Sequence, residues 1–175
     1  MTLAKKIYYF LFYTIYGLAK YLPMLSGDFF RYVILKLFLK KIEGWITVRD
    51  NVTFWFPERI CIGRGTVIGE NCFLDGYGGL SIGKDVLIAH STSCLSEDHG
   101  FASRKIKIRD QQKTFQEIVI QDGCWIGCGV RILKGVKIGK GAIIGAGSVV
   151  TKNLPAFSIS AGVPAKVIKM RPRDE

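Results

Sequence analysis

The chain has 175 residues, 49% of them hydrophobic and 22% charged, a balance that predicts one folded domain with a hydrophobic core and excludes a disordered chain. The 20 glycines follow no Gly-X-Y period, which excludes collagen. The formal net charge of +11 favours anionic partners, such as phosphates or an acidic lipid surface.

The cysteines and histidines limit the chemistry further. The five cysteines are an odd number and contain no CxxC pair, which argues against a disulfide framework and a zinc knuckle and favours a reducing cytoplasm. His90 and His99 are the only histidines, too few for a three-histidine zinc centre such as that of a carbonic anhydrase. No metal is therefore expected.

Residues 1–44 form the first predicted unit, a basic and aromatic helical segment. The uncharged stretch between Lys6 and Lys20 is thirteen residues long, whereas a membrane span needs about 20. No small-residue cleavage site follows it, so the segment is expected to be retained. Two short helices are predicted, the second running from an N-cap at Asp28 to a stop at Gly44. Two compatible roles stay open for residues 1–41: contact with a membrane surface and capping of the next unit.

Residues 45–169 form the second predicted unit, an internal repeat of six residues. An aliphatic residue begins each copy, and a small or medium residue stands four positions later, two before the next aliphatic. Residues two apart in a strand share a face, so each copy is a very short strand with two inward side chains. Three such strands make one coil, and stacked coils make an all-β solenoid. The aliphatic positions are Ile62, Ile68, Leu74, Ile82, Ile88, Ile120, Ile126, Ile132, Ile138, Ile144 and Val150.

Residues 94–117 interrupt the repeat and are predicted to form a loop that projects from the coil. Long excursions of this kind from compact domains are usually functional. The loop carries His99, whose imidazole is of the type that titrates near neutral pH and can act as a general base. Glu97 and Asp98 are candidates to orient it. On these residues alone, a plain surface histidine stays an open alternative, and His90 is interpreted as one.

The six-residue pattern and the loop motif both resemble sequence patterns of a known protein family. The six-residue pattern resembles the hexapeptide-repeat family, which implies a left-handed parallel β-helix. The loop motif SEDHGF, followed by IVIQDGCWIGCGVRILKGVKIGKGAIIGAGSVVTKNLPAFSISAGVPAKVIK, is similar to acetyltransferases of the maltose and galactoside type, and most to the sugar O-acetyltransferases of bacterial surface polysaccharides. The resemblance implies transfer of acetyl from acetyl-CoA to a sugar hydroxyl, with His99 as the catalytic base. It also implies a homotrimer in which a neighbouring subunit completes the active site.

The resemblance further assigns binding residues. The coenzyme-binding positions that match the family motifs are Trp125, Cys128, Ala146, Thr151, Lys152, Lys166 and Lys169. The carbohydrate acceptor is expected at Asn71, Asp75 and Tyr77. Alternatively, the three lysines could belong to a solvated basic tail. Asp75 could simply occupy a turn. Residues 170–175 are expected to be a C-terminal tail.

Several functional alternatives stay open. The acceptor could instead be an amino sugar, a serine or an antibiotic, or the solenoid could be a binding module without catalysis. The chain has no motif that reads RNA or DNA, and nucleic acid is not an expected partner. The expected location is the cytoplasm, with residues 1–41 as a candidate contact to the inner face of the membrane.

Overall fold

The computed structural model describes residues 2–172, which form two helices and a three-sided solenoid. Helix α1 spans Leu3–Ala19 and helix α2 spans Met24–Phe38. Nearly all strands belong to three sheets, each of which forms one face of a prism. The structure confirms the predicted all-β solenoid, a left-handed parallel β-helix with a short helical N-terminal segment and an extruded loop.

The strands follow one another from face to face. Face A holds β1 (Lys41–Ile42), β4 (Ile60–Ile62), β7 (Leu80–Ile82), β12 (Ile118–Ile120) and β15 (Lys137–Ile138). Face B holds β2 (Thr47–Val48), β5 (Val67–Ile68), β8 (Leu87–Ile88), β13 (Trp125–Ile126), β16 (Ile143–Ile144), β18 (Ser158–Gly162) and β19 (Ala165–Met170). Face C holds β3 (Thr53–Trp55), β6 (Phe73–Asp75), β9 (Ser93–Leu95), β14 (Arg131–Leu133) and β17 (Val149–Val150). The corners between faces are named here A/B, B/C and C/A, in the direction of the chain.

The core of the solenoid follows the six-residue frame. All eleven predicted aliphatic positions are buried, with at most 4% of the side chain exposed. The small positions between them are buried too, including Cys72 and Cys124, which serve as inward fillers. Coils stack in register, so that Ile62 lies beside Ile82 and Ile82 beside Ile120, although 38 residues separate the second pair along the chain.

The extruded loop starts later than predicted. Cys94 is fully buried and pairs with Leu74 and Ile132, so it occupies the inward aliphatic position of its coil and does not belong to the loop. The loop therefore comprises residues 96–117, between β9 and β12. It contains a short antiparallel hairpin of β10 (Glu97–Asp98) and β11 (Thr114–Phe115) and a 3-10 turn at Ile108–Asp110. Sequence reasoning missed Cys94 because a cysteine there breaks the aliphatic pattern.

The second helix also differs from its predicted bounds. It begins at Met24, with Pro23 as the N-cap, and Asp28 lies inside it. The Asp28 carboxylate does not cap the helix but accepts hydrogen bonds from Arg31 and Arg49. The helix ends at Phe38, before the predicted stop at Gly44, because Lys41–Ile42 already pairs with Cys61–Ile62 in face A. The solenoid consequently starts at residue 41 and not at 45.

Both helices pack against the first coil. Phe12, Tyr16 and Leu35 are buried against it, and the Tyr16 hydroxyl donates a hydrogen bond to the Val52 carbonyl at 3.1 Å. The buried inner side of the helices closes the open end of the solenoid, as stacked repeats require.

Strand β19 ends the parallel stacking. It runs antiparallel to β18, and Met170, assigned from the sequence to the tail, is its last residue. Of the rest of the predicted tail, residues 173–175 lie outside the described part of the chain.

Candidate active site

The root of the extruded loop is fixed by a buried carboxylate. Asp75, at the end of β6, is 3% exposed, and its Oδ2 accepts hydrogen bonds from the Ser96 amide at 3.0 Å and the Ser96 hydroxyl at 2.9 Å. Its Oδ1 accepts a third from the Tyr77 amide at 2.8 Å. The Ser96 hydroxyl in turn accepts from the Gly78 amide at 2.8 Å. Asp75 thus ties the 75–78 turn to the first residue of the loop.

His99 follows β10 directly and is exposed. Its acidic neighbours do not contact the imidazole but form ion pairs with lysines. Glu97 pairs with Lys113 at 2.9 Å across the hairpin, and Asp98 pairs with Lys134 of the next coil at 3.1 Å. These ion pairs bind the hairpin to itself and to the solenoid, which gives His99 a fixed support.

A cavity of about 550 Å³ lies beside His99. It is lined on one side by loop residues that include Phe101 and Gln111 and on the other by Lys134. The Gln111 side chain closes the loop on itself, donating to the Ser103 and Ile106 carbonyls at 2.9 Å and accepting from the Ser103 amide. His99 therefore borders a space large enough for part of a substrate. Neither Lys134 nor Gln111 carries a sequence signal that would have marked it.

Two of the three predicted acceptor residues lie near the loop root. Tyr77 lines a cavity of about 300 Å³ together with Phe56, Arg59 and Phe115, and with Lys5 and Tyr9 of helix α1. Asp75 is close by but buried, with its oxygens occupied as described. Asn71 stands apart at the B/C corner, where its φ of 59° marks a left-handed turn and its side-chain oxygen accepts from Asn51 at 2.7 Å.

Most of the predicted coenzyme residues lie on face B and the B/C corner. Trp125 projects outward from β13 between Leu87 and Ile143 and is about half exposed. Cys128 and Ala146 stand one above the other at the B/C corner, where Gly147 donates a hydrogen bond to the Cys128 carbonyl at 2.8 Å. Cys128 is partly buried and Ala146 is exposed.

The lysines complete this group. Lys166 and Lys169 are exposed on β19, the last strand of face B. Thr151 and Lys152 are exposed at the C/A corner after β17, so they are separated from Ala146 by that strand. Within residues 2–172, no ion pair includes Lys152, Lys166 or Lys169, which leaves their charges available for phosphates.

His99 and the face B group stand at different corners of the prism. The loop leaves the solenoid at the C/A corner, whereas Trp125, Cys128 and Ala146 lie on face B and the B/C corner. Face C separates the two groups within one chain. The predicted base and most of the predicted coenzyme residues therefore do not meet within one chain.

Comparison with known proteins identifies the family. Residues 117–152 match the model described as bacterial transferase hexapeptide (six repeats). The chain is 32% identical over 145 residues to the putative colanic acid biosynthesis acetyltransferase WcaF of Escherichia coli K12, covering 83% of this chain and 77% of that protein. It is 33% identical over 132 residues to a probable acetyltransferase of Mycobacterium tuberculosis, covering 75% of this chain but only 44% of that longer relative.

The fold has a close counterpart among solved structures. A galactoside acetyltransferase in complex with coenzyme A superposes with a TM-score of 0.86 and 27% sequence identity, over 97% of this chain and 84% of that one. Together with the relative matched over more than two thirds of its length, this shows that the chain belongs to the bacterial hexapeptide-repeat acetyltransferases.

Proposed function

We propose that the protein transfers the acetyl group of acetyl-CoA to a sugar hydroxyl during the synthesis of a bacterial surface polysaccharide. The colanic acid relative and the galactoside acetyltransferase with bound coenzyme A support the class of donor and acceptor. The observation that carries the proposal is the placement of His99, exposed on a tied loop beside a cavity of about 550 Å³.

In this proposal His99 is the general base. A sugar hydroxyl is a weak nucleophile until its proton is removed, and an imidazole nitrogen accepts that proton as the oxygen attacks the acetyl carbonyl carbon. Acetyl-CoA supplies an activated thioester, whose thiolate leaves. The protonated His99 then returns the proton to the departing sulfur, so the histidine is restored after each turnover. The steps proposed here use the imidazole and the thioester alone and draw on no metal.

The donor side fits the exposed residues of face B. The Trp125 ring offers an apolar surface to the pantetheine arm, and Lys166 and Lys169 offer positive charge to the phosphates. Lys152 lies at the C/A corner with the loop, so we propose that it adds a third cation from the chain that supplies His99. The partly buried Cys128 offers no hydroxyl, so we assign it a packing contact rather than a hydrogen bond.

The separation of His99 from face B supports a homotrimer. If each loop reaches Trp125, Cys128 and Ala146 of a neighbouring copy, the base and the donor residues come together in the space between the two chains, named here the donor groove. Cyclic symmetry then creates three identical sites. We propose this arrangement as the active assembly.

We propose that the reacting sugar lies in the cavity beside His99 and that the rest of the acceptor glycan extends towards a second cavity at Tyr77. The rings of Tyr77, Phe56 and Phe115 line the 300 Å³ cavity, and aromatic faces pack well against the C–H surfaces of sugars. The Arg59 guanidinium lies over the Tyr77 ring at 5.9 Å and can bind an acidic group of the glycan. Asn71 belongs to the donor-side corner of its own chain, where it would meet a neighbour's loop. Asp75 is proposed to position the loop, because its oxygens already have partners.

The free cysteine thiols support a proposal for the cellular compartment of the protein. All five cysteines are free, and coenzyme-dependent transfer requires the cytoplasmic coenzyme pool. We therefore propose a cytoplasmic enzyme.

The function is tested by measuring coenzyme A release with a panel of surface-glycan acceptors. Wild-type protein is expected to release coenzyme A only when a suitable glycan is present, and His99→Ala should lower that rate by about 10²-fold or more. Lys140→Ala, a change of the same type at an exposed residue of the A/B corner, lies away from both the loop and the B/C corner and serves as the control, which should retain the wild-type rate. Equal acceptor-dependent rates in wild type and His99→Ala would show that His99 is not the base.

A further inference from the structure

The outward sides of helices α1 and α2 carry many large apolar side chains. On α1 the exposed apolar side chains include Leu3 (74% exposed), Phe10 (69%) and Leu18 (76%). On α2 the residues Leu25, Phe29, Val33 and Leu37 repeat every fourth position, so they form one stripe along the helix. A helix on the surface of a protein in water normally turns polar residues outward. The exposed sides of these two packed helices, named here the outer face, thus carry many apolar side chains, and large exposed apolar surfaces mark sites of interaction.

The charges on the outer face are all of one sign. Lys6 and Lys36 are exposed there and Lys40 is exposed just after α2, and none of the ion pairs within residues 2–172 includes these lysines. The only acidic residue in the sequence up to residue 41 is Asp28, which is buried against Arg31. The outer face therefore combines exposed apolar side chains with positive charge and has no exposed carboxylate of its own.

Apolar side chains combined with positive charge favour an anionic membrane over a second copy of the chain as the binding partner. A second copy of the same face would bring its lysines against these lysines, and like charges placed together oppose association. A bilayer with anionic lipids offers an apolar interior and a negative surface at once, which complements both features. Neither helix of the described residues is long and apolar enough to cross a membrane, so the helices would lie along the surface.

We propose that the outer face binds the surface of a membrane that contains anionic lipids. The inner sides of α1 and α2 hold the first coil, and the outer sides enter the headgroup region. Lys5 and Tyr9 of α1 line the cavity around Tyr77, so bound protein holds this cavity next to the bilayer. The inference does not depend on acetyl transfer, because membrane binding is measured without substrates.

The test is flotation of the full-length protein with two kinds of vesicle, phosphatidylcholine alone and phosphatidylcholine with about 30% phosphatidylglycerol. Wild type is expected to bind the anionic vesicles at least about tenfold more strongly than the neutral ones. The variant Phe10→Gln/Leu18→Gln/Leu25→Gln should lose about tenfold or more of its affinity for anionic vesicles. The variant Lys6→Gln/Lys36→Gln/Lys40→Gln should approach the neutral-vesicle level on both.

A matched control removes apolar surface at the other end of the solenoid. Ile168→Gln/Met170→Gln, on β19, changes side chains that are 66% and 52% exposed and should leave vesicle binding unchanged. The proposal is overturned if wild type binds neither vesicle, if it binds both equally, or if both outer-face variants bind as wild type does. It is also overturned if the wild-type assembly is larger than that of the outer-face variants by sedimentation, since the face would then join copies of the chain.

Discussion

Asp75 and Ser96 are joined by two hydrogen bonds, of 3.0 and 2.9 Å, across 21 residues of sequence. Strand β6 ends with the first residue and the extruded loop begins with the second, so the pair sets the direction in which the loop leaves the solenoid. His99 lies three residues further along. The position of the proposed base is therefore determined by a carboxylate one coil below it.

Asp75→Asn tests this relationship. The amide replaces one acceptor oxygen by a donor, so it cannot accept all three hydrogen bonds that Asp75 accepts. We expect the free energy of unfolding to fall by only about 1–2 kcal/mol, whereas kcat should fall about tenfold or more because His99 is no longer held in place. Thermal unfolding and coenzyme A release measure the two effects.

A matched control separates loop positioning from general stability. Asp122 also accepts a backbone hydrogen bond, from Lys84 at 2.8 Å, but at the A/B corner away from the loop. Asp122→Asn should therefore change stability slightly and kcat not at all. A loss of kcat in Asp122→Asn as large as that in Asp75→Asn would argue against the positioning role.

The sequence predicted the coil positions well and the long-range polar contacts poorly, for a physical reason. Inward positions such as Ile68 and Ile126 are set by local spacing, because residues two apart in a strand share a face. The partner of Asp75 depends on how the coils stack, and that register is not visible in six-residue spacing. The six-residue pattern does not mark Cys94 as an inward position because its side chain is not aliphatic, although a buried thiol packs as a small apolar group.

Arg31 shows the same limit. From the sequence it counts among the basic residues that flank an apolar face, yet its side chain is completely buried. Its guanidinium donates to the Asp28 carboxylate at 2.9 Å, and to the Val48 and Leu22 carbonyls at 2.7 Å. No local pattern predicts this burial, because the acceptors come from α2, the end of α1 and the first coil.

Arg31→Met should detach the helices from the first coil. The change leaves the buried Asp28 carboxylate without one of its partners and several carbonyls without donors, at a cost of about 3–5 kcal/mol. We expect a lower unfolding temperature and rapid proteolysis within residues 2–40. Lys36→Met on the exposed side of α2 is the control, with an expected change below about 0.5 kcal/mol. Similar protease sensitivity in the two variants would contradict the anchoring role.

Thiol labelling tests the inward positions. Cys72, Cys94 and Cys124 are buried, whereas Cys61 and Cys128 are partly exposed, so two of the five thiols should react in native protein at pH 8. Burial also raises the pKa of the Cys72 thiol from 9.0 to about 11. The folded state thus favours the neutral thiol, and this contribution to stability is complete below pH 9 and lost as the pH rises through about 11.

Mass spectrometry after labelling locates the modified cysteines. Denatured protein, in which all five thiols should react, is the control for reagent access. Labelling of Cys94 at the rate of Cys61 would show that the coil does not exclude the reagent, which would contradict the assigned core.

The proposed composite active site predicts complementation between inactive variants. His99→Ala removes the proposed base, and Ala146→Trp fills the donor groove at the exposed B/C corner. If each site takes its base from one chain and its groove from the next, random mixed trimers contain intact sites made from the two defective chains. An equal mixture should then recover about a quarter of the wild-type activity, because an intact site needs an Ala146→Trp chain to supply the loop and a His99→Ala chain to supply the groove. Each variant trimerised alone, and then combined without subunit exchange, should stay inactive. If the exchanged mixture is also inactive, each site belongs to a single chain, and the separation of His99 from face B requires a different explanation.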